Sequence, residues 1–397
     1  MHPQITTAAG ARQDTPAAWG GVLAMSLGAF ALVASEFMPV SLLTPVAADL
    51  HITEGQAGQA ISVSGAFAVM TSLFISSLAG KLDRKLLLVS MSLLMIAAGS
   101  IAAFAPNYTV FMIGRAFVGV AIGGFWSMSA ATVMRLVPEH HMPRALAIVN
   151  GGNALATVVA APLGSYLGAM VGWRGAFFCL VPVAALALAW KLASLPSMPS
   201  ASKVSAGRAF ALLKRPPVAF GMLAVSLFFM GQFALFTYLR PFLELKTQAD
   251  ASLLSLLLLV IGVAGLVGTT LIGALLKDGL FRILVVIPLI MALIAVALPV
   301  FGASAIATAL LLAAWGLVGT SAPVAWFTWL AKALPDDAET GGGLMVAVVQ
   351  LAIASGATVG GILFDDNGYQ ATFGASAAVL VAAAIVAVMA GRAARSA

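Results

Sequence analysis

The chain has 397 residues, 61% of them hydrophobic and only 9% charged. A soluble domain carries about 25% charged residues, so this chain cannot clothe a water-exposed surface and lipid must cover most of it. The net charge of +6 does not point to nucleic acid, because the basic residues fall in short loops and form no patch interleaved with aromatics.

Residues 1–18 read as a polar tail containing Pro3 and Pro16. The apolar run that starts at Trp19 is too long for the core of a secretion signal, so no cleavable leader is expected. Apolar runs then predict helices over 19–46, 56–79, 86–105, 108–136, 144–171 and 174–194. A break at 195–215 holds Pro196, Pro199, Lys203, Arg208, Lys214 and Arg215, the composition of a solvated linker. Six more helices are predicted over 216–243, 251–276, 281–301, 303–333, 341–364 and 370–391, followed by a short tail at 392–397. At ~20 residues per crossing, this is an all-α membrane protein of twelve transmembrane helices in two repeated six-helix halves, 19–194 and 216–391.

Loop charge sets the expected orientation. With the N-terminus in the cytoplasm, all of the 20 basic residues except Arg115, Arg174, Arg240 and Lys246 lie inside, among them Lys191 at the end of the sixth helix. The opposite face carries Asp49, Glu54, Glu244, Asp250, Asp365 and Asp366. Both termini are therefore expected in the cytoplasm. The single cysteine, Cys179, excludes an intrachain disulfide and a thiolate cluster, and the adjacent His140 and His141 read as loop residues rather than a metal pair.

Two charges fall inside predicted helices, where a charge costs at least a few kcal/mol. Glu36 lies in SEFMPVSLLTP, with Pro39 and Pro45 following, and Arg115 lies in MIGRAFVG. Counted from the same face at ~1.5 Å per residue, both are roughly 10–15 Å deep, so they can meet if the first and fourth helices are neighbours. A carboxylate poised between burial and an arginine can load and release a proton; the alternative is an ion pair that only locks the two helices together. Asp83 and Arg84, in LAGKLDRKLLL, form a tight turn that is either positive-inside anchoring or a charge latch between the halves. Gly164 and Gly168, like Gly356 and Gly360, are spaced for close helix contact.

Polar and aromatic residues inside the spans are candidates for a solute cavity: Ser62, Ser64, Trp126, Asn150, Asn153, Gln232, Tyr238, Trp326 and Gln350. Amides beside aromatic faces suit a planar, uncharged, hydrogen-bonding solute, although each alone also fits a helix–helix contact. No phosphate loop is present, so the carrier needs no nucleotide, and no histidine or second acid sits in the spans to build a hydrolytic enzyme.

The six-plus-six layout resembles the major facilitator superfamily over essentially the whole chain. LDRK at 82–85 is similar to the family's loop signature, with Ala79 where its first glycine is expected. Arg115 matches the fourth-helix arginine that the family links to proton coupling. ALATVVAAPLGSYLG, residues 154–168, resembles the fifth-helix signature of drug/proton antiporters, with Pro162 and Gly164 at its core and Ala161 in place of a glycine. SEFMPVSLLTPVAADL is similar to the first helix of bacterial sugar and nucleoside exporters. GGFWSMSAATVMRLVP, FTYLRP and VAVVQLAIASGATVGG look like the purine ribonucleoside efflux branch. The resemblance implies a proton-driven antiporter of the bacterial inner membrane that exports purine nucleosides by alternating access. It implies no metal or organic cofactor, with a proton gradient as energy source, and a monomer as the working unit. Sugar or multidrug efflux and passive facilitation are the alternatives.

Overall fold

The protein is described by a computed structural model that covers residues 17–79, 82–199, 210–335 and 337–396. The described residues are overwhelmingly helical: α1 Trp19–Leu50, α2 Glu54–Ala79, α3 Arg84–Ala103, α4 Tyr108–Leu136, α5 Met142–Phe178 and α6 Leu180–Ser194, then α7 Pro216–Phe236, α8 Leu239–Lys246, α9 Ala251–Phe301, α10 Ala305–Gly319, α11 Ala322–Ala333 and α12 Ala338–Ser396. These helices do not map one-to-one onto crossings. Two apolar stretches, 144–194 and 340–395, run for 51 and 56 residues. At ~1.5 Å per residue each is more than twice as long as a ~30 Å hydrocarbon core. Each turns at a glycine with positive φ, Gly172 (φ 74°) and Gly368 (φ 72°), which only a residue without Cβ adopts at no cost. α9 also breaks at a glycine, Gly279, there with an ordinary negative φ. The fold is therefore an all-α bundle of twelve crossings in two pseudo-symmetric halves.

The repeat is visible in the backbone. The described positive-φ residues are His51, Gln248, Gly172 and Gly368. His51 precedes α2 as Gln248 precedes α9, and Gly172 precedes the sixth crossing as Gly368 precedes the twelfth; the two pairs are offset by the same interval to within one residue. The residues after each glycine match as well. Trp173 and Phe177 pair at 6.1 Å, Tyr369 and Phe373 at 6.3 Å.

Several expectations are corrected. The seventh predicted helix is two, α7 and α8, and the tenth is two, α10 and α11. The 392–397 tail is helical through Ser396. Of the predicted linker, 200–209 lies outside the described residues, as do Lys81 and residues 1–16. Asp365 and Asp366 sit in the last turn before Gly368 rather than in a loop, and Glu54 opens α2. Lys191 lies near the end of its helix as expected, but its side chain is buried, 1% exposed, rather than turned to the cytoplasmic surface.

Two apolar cores of the first half surround α1, and a third holds most of the second half. Seventy-two per cent of the α1 span is buried, the highest share among the crossings, because helices of both halves pack on it. The halves meet where α2 runs along α12 and α5 along α9. We call the end of the bundle that carries the chain termini proximal and the other end distal.

Candidate functional site

In hydrocarbon every backbone polar group needs a partner from the protein. Proline cannot donate to the carbonyl four residues back, so Pro39 orphans the Ser35 carbonyl and Pro45 orphans that of Ser41. An arginine fills each vacancy. Arg115 of α4 donates from Nη1 to Ser35 O at 2.7 Å, from Nη2 to Glu36 O at 3.3 Å and Ser64 Oγ at 3.2 Å, and from Nε to Ala60 O at 3.0 Å. It is 1% exposed. Arg240 of α8, in the second half, donates from Nη1 to Ser41 O and from Nε to Glu244 Oε1 at 2.7 Å.

The structure thus brings Glu36 and Arg115 together, but by the main chain. The guanidinium spends its donors on carbonyls and a hydroxyl, so Arg115 locks α4 to α1 through the main chain beside Glu36 rather than by a direct hydrogen bond to its carboxylate. Glu36 is 5% exposed, and its Oε1 accepts from Gln350 Nε2 of α12 at 3.1 Å. Gln350 Oε1 is buried with no hydrogen-bond partner.

From this pair a polar seam runs up to the distal surface between α2 and α12. Ser62 Oγ donates to Ala354 O at 3.1 Å, and the Thr358 hydroxyl contacts Ser62 Oγ at 2.9 Å and Gln59 Oε1 at 3.2 Å. Tyr238, 0% exposed, donates to Ala357 O at 2.7 Å, lies 3.5 Å from Gly55 O and stacks on Phe364. At the surface Asp365 accepts from Thr53 Oγ1 at 2.6 Å and Gly55 N at 2.9 Å. Those two residues open α2, where Thr53 and Gln56 already form a reciprocal capping box. A carboxylate of one half thus caps a helix of the other, where the helix dipole favours it. From Asp365 to Gln350 the seam spans roughly 22 Å at ~1.5 Å per residue. This is a distally closed state.

The remaining predicted residues lie as follows. Gln232 of α7 is half-buried, and its Oε1 also lacks a partner. Asn153 and Trp126 are half-buried on α5 and α4, Trp126 edge-on to Phe125. Trp326 packs edge-on to Trp329 within the second-half core. Tyr238 is spent on closure here rather than on a cavity wall. Pro162 and Gly164 place α5 against its neighbours: a Cβ on Gly164 would lie 2.5 Å from Ser41 Oγ, and Pro162 leaves Val158 O without its helical donor, facing Gly262 of α9.

Asp83 caps α3 and binds the chain that leaves α6. It accepts from Lys85 N at 2.7 Å, from Met198 N at 2.9 Å and from the Ser197 hydroxyl. These donors, Ser197 first, hold its carboxyl below the usual carboxylate range. Arg84 N donates to Met198 O at 3.0 Å. In this structure Asp83 therefore grips the segment that leaves α6 toward the second half.

Sequence reasoning missed Arg240, Asp365, Gln59, Thr358 and Lys191 as interior contacts. Only Arg240 had a readable signal, a proline four residues beyond a serine on a buried helix, and that signal names the carbonyl but not its donor.

The comparisons with known proteins agree with this architecture. The family model described as Major Facilitator Superfamily matches residues 25–355. A Pseudomonas aeruginosa protein named transcription regulatory protein OpdE is 60% identical over 396 residues, covering 99% of this chain and 98% of its own. The purine ribonucleoside efflux pump NepI of Salmonella typhimurium is 40% identical over 368 residues, covering 93% of each. Among solved structures, a D-xylose-proton symporter superposes with a TM-score of 0.74 at 17% identity, covering 93% of this chain and 97% of its own. A bacterial homolog of the human lysosomal transporter Spinster superposes at 0.71 and 14%, covering 96% of each. With the family model matched over most of its length and close relatives spanning nearly all of it, the chain belongs to the Major Facilitator Superfamily and is a multi-pass membrane transporter rather than an enzyme.

Proposed function

We propose that the protein is a proton-coupled antiporter that exports purine ribonucleosides by alternating access. The observation that carries the coupling is the Glu36–Gln350 contact. As a carboxylate, Glu36 only accepts, and it leaves Gln350 Oε1 unmatched. As a neutral acid it also donates an O–H, and an acid facing a primary amide forms two parallel hydrogen bonds. Protonation thus completes the contact between the halves and favours the distally closed state; proton loss frees it. Arg115 fixes the kinked main chain on which Glu36 rides. We further propose that Asp83 and Arg84 act as the proximal latch and that Pro162 and Gly164 form the α5–α1 and α5–α9 pivots.

The direction and cargo rest on NepI, a relative named for purine ribonucleoside efflux. The unmatched acceptors Gln232 Oε1 and Gln350 Oε1, with the amide of Asn153, suit the hydroxyl and N–H donors of a nucleoside. The half-buried Trp126 offers a face for its base, whereas Trp326, packed in the second-half core, would do so only after that core rearranges. On this reading the protein works as a monomer in a bacterial inner membrane, with both termini cytoplasmic, and draws on the proton gradient alone. The 60% identity to a protein named for transcription regulation supports a second role: a carrier that alters transcription by setting the cytoplasmic level of an effector solute.

Everted vesicles test the reading. A purine nucleoside added to energised vesicles should dissipate part of the proton gradient, and Glu36→Gln should retain exchange while losing that response. An undiminished response in Glu36→Gln would falsify the carrier role of Glu36. Competition of inosine against arabinose decides the cargo, and preference for the sugar overturns the nucleoside.

A further inference from the structure

The proposed transport cycle leaves one buried charge unused. Lys191 lies in the last turn of α6, three residues from its end at Ser194. A lysine so placed ordinarily extends its stem toward the interface and keeps its ammonium in water. Here the side chain turns back into the first half and is 1% exposed. Its Nζ donates to Ser92 Oγ of α3 at 2.8 Å and lies 5.1 Å from the ring centre of Phe125 of α4. A Cβ on Gly28 of α1 would come within 2.6 Å of Nζ, so the close approach depends on that glycine. Beside the nitrogen is a cavity of about 10 Å³, lined on α1 by Gly28, Ala31 and Leu32 and on α3 by Met91 and Met95. That is room for about one water molecule.

Among the described residues no carboxylate faces this nitrogen. The residues that α1, α3, α4 and α6 turn toward it are apolar except Ser92. The other charged groups on those elements are engaged or placed elsewhere. Glu36 of α1 faces Gln350, and Arg115 of α4 holds carbonyls of α1 and α2. Arg135 donates to Pro199 O, and Arg84 and Lys85 stand in the first turn of α3. An ammonium has three donors, and one is matched by protein. A single charge without a counter-ion inside a membrane domain is expensive and is retained where it carries or exchanges an ion.

We propose that the Lys191 amine is a second proton-exchanging site, inside the first half and separate from Glu36. The proton passes from the ammonium to water in the adjoining cavity and the nitrogen keeps its lone pair. Loss and gain of that charge change how tightly α1, α3 and α6 pack around Gly28, and α1 is the helix that carries Glu36. This rests on the proton-coupled reading above and extends it: one site senses the contact between the halves, the other the packing within one half.

The test is nucleoside counterflow in proteoliposomes with equal pH on both sides, which needs no net proton movement. Wild type should show a rate change toward alkaline pH. Lys191→Arg, charged throughout, should hold the acid-side rate at every pH, and Lys191→Met should hold the alkaline-side rate. Ser92→Ala keeps the amine but removes its protein partner and should displace the same limb along the pH axis; it serves if the Lys191 variants fail to fold. Identical pH profiles in wild type and all folded variants overturn the proposal. Failure of the Glu36 reading is registered separately, by nucleoside-induced proton movement that survives Glu36→Gln.

Discussion

Arg115 Nη1 donates at 2.7 Å to the Ser35 carbonyl, the very group that Pro39 deprives of its helical donor. The pair explains how a proline and an arginine, each costly in a bilayer, are tolerated together. The proline opens an acceptor and the arginine closes it. The expense of a buried guanidinium is offset by four acceptors on two helices.

That relationship predicts a coupled pair of mutations. Arg115→Met strands the Ser35 carbonyl and should lower stability by about 1–3 kcal/mol. Pro39→Ala returns an N–H to Ser35, so the double variant should melt above Arg115→Met alone. A thermal-unfolding double-mutant cycle in detergent checks this; strictly additive changes would break the proposed link. Transport should be lost in both Arg115→Met and the double variant, since neither holds Glu36 in place.

The seam predicts how the distal end opens. Tyr238→Phe removes a buried hydrogen bond to Ala357 O, worth about 1 kcal/mol. It should raise alkylation of a cysteine placed at Ala357, in a Cys179→Ser background, roughly five-fold. Gly58→Ala should act more strongly, because its methyl would lie 2.1 Å from the Tyr238 hydroxyl. Helix propensity alone favours that alanine by ~1 kcal/mol, so increased labelling separates the steric effect from the intrinsic one.

Asp83 predicts an acid limb in stability. Its folded pKa lies below the ordinary value of ~3.9 because Ser197, Met198 and Lys85 donate to the carboxylate. The stabilisation is therefore fully present above the unfolded value and is lost as pH falls through the folded one. The site is largely open to solvent, so the effect should stay below ~1 kcal/mol. Asp83→Asn should flatten stability against pH in that acidic range, lower stability slightly at neutral pH and slow neutral transport by weakening the proposed latch; a stability loss confined to acid pH would contradict the assignment.

Gln232 predicts a trade between stability and affinity. Its Oε1 is buried without a donor, which costs the empty transporter about 1–3 kcal/mol. Gln232→Leu should stabilise the solute-free protein and raise KM for a purine nucleoside on the order of tenfold, the equivalent of ~1.4 kcal/mol. Calorimetric melting and initial export rates read the two halves of this prediction; unchanged KM would remove Gln232 from the solute site.

Most of the fold was legible in the chain. Apolar run length gave the crossings because a bilayer demands ~20 residues from each; the predicted starts at 108, 144, 216 and 251 fell within two residues of Tyr108, Met142, Pro216 and Ala251, while the sixth, predicted at 174, begins as α6 at Leu180. Breaks inside runs were less visible. Thr237–Tyr238 interrupts its crossing without glycine or proline at the break, whereas Thr320–Ser321 is flanked by Gly319 and Pro323, a local signal that the continuous apolar run concealed. Lys191 was misplaced for a physical reason: sequence position put it at a helix end, and only packing decides whether a long side chain reaches outward to water or inward to Ser92.

The sequence by itself determined that this is a membrane protein, how many times it crosses, and that Glu36 and Arg115 are its anomalous charges. Those conclusions follow from hydrophobicity and the cost of charge in lipid, both properties of residues taken one at a time. The tertiary structure decided the partners. Arg115 answers a proline-freed carbonyl rather than a carboxylate, Glu36 reaches across to Gln350, and Asp365 caps a helix more than three hundred residues away. Hydrogen bonds depend on direction and on which helices become neighbours, and neither is written in the order of residues along one helix.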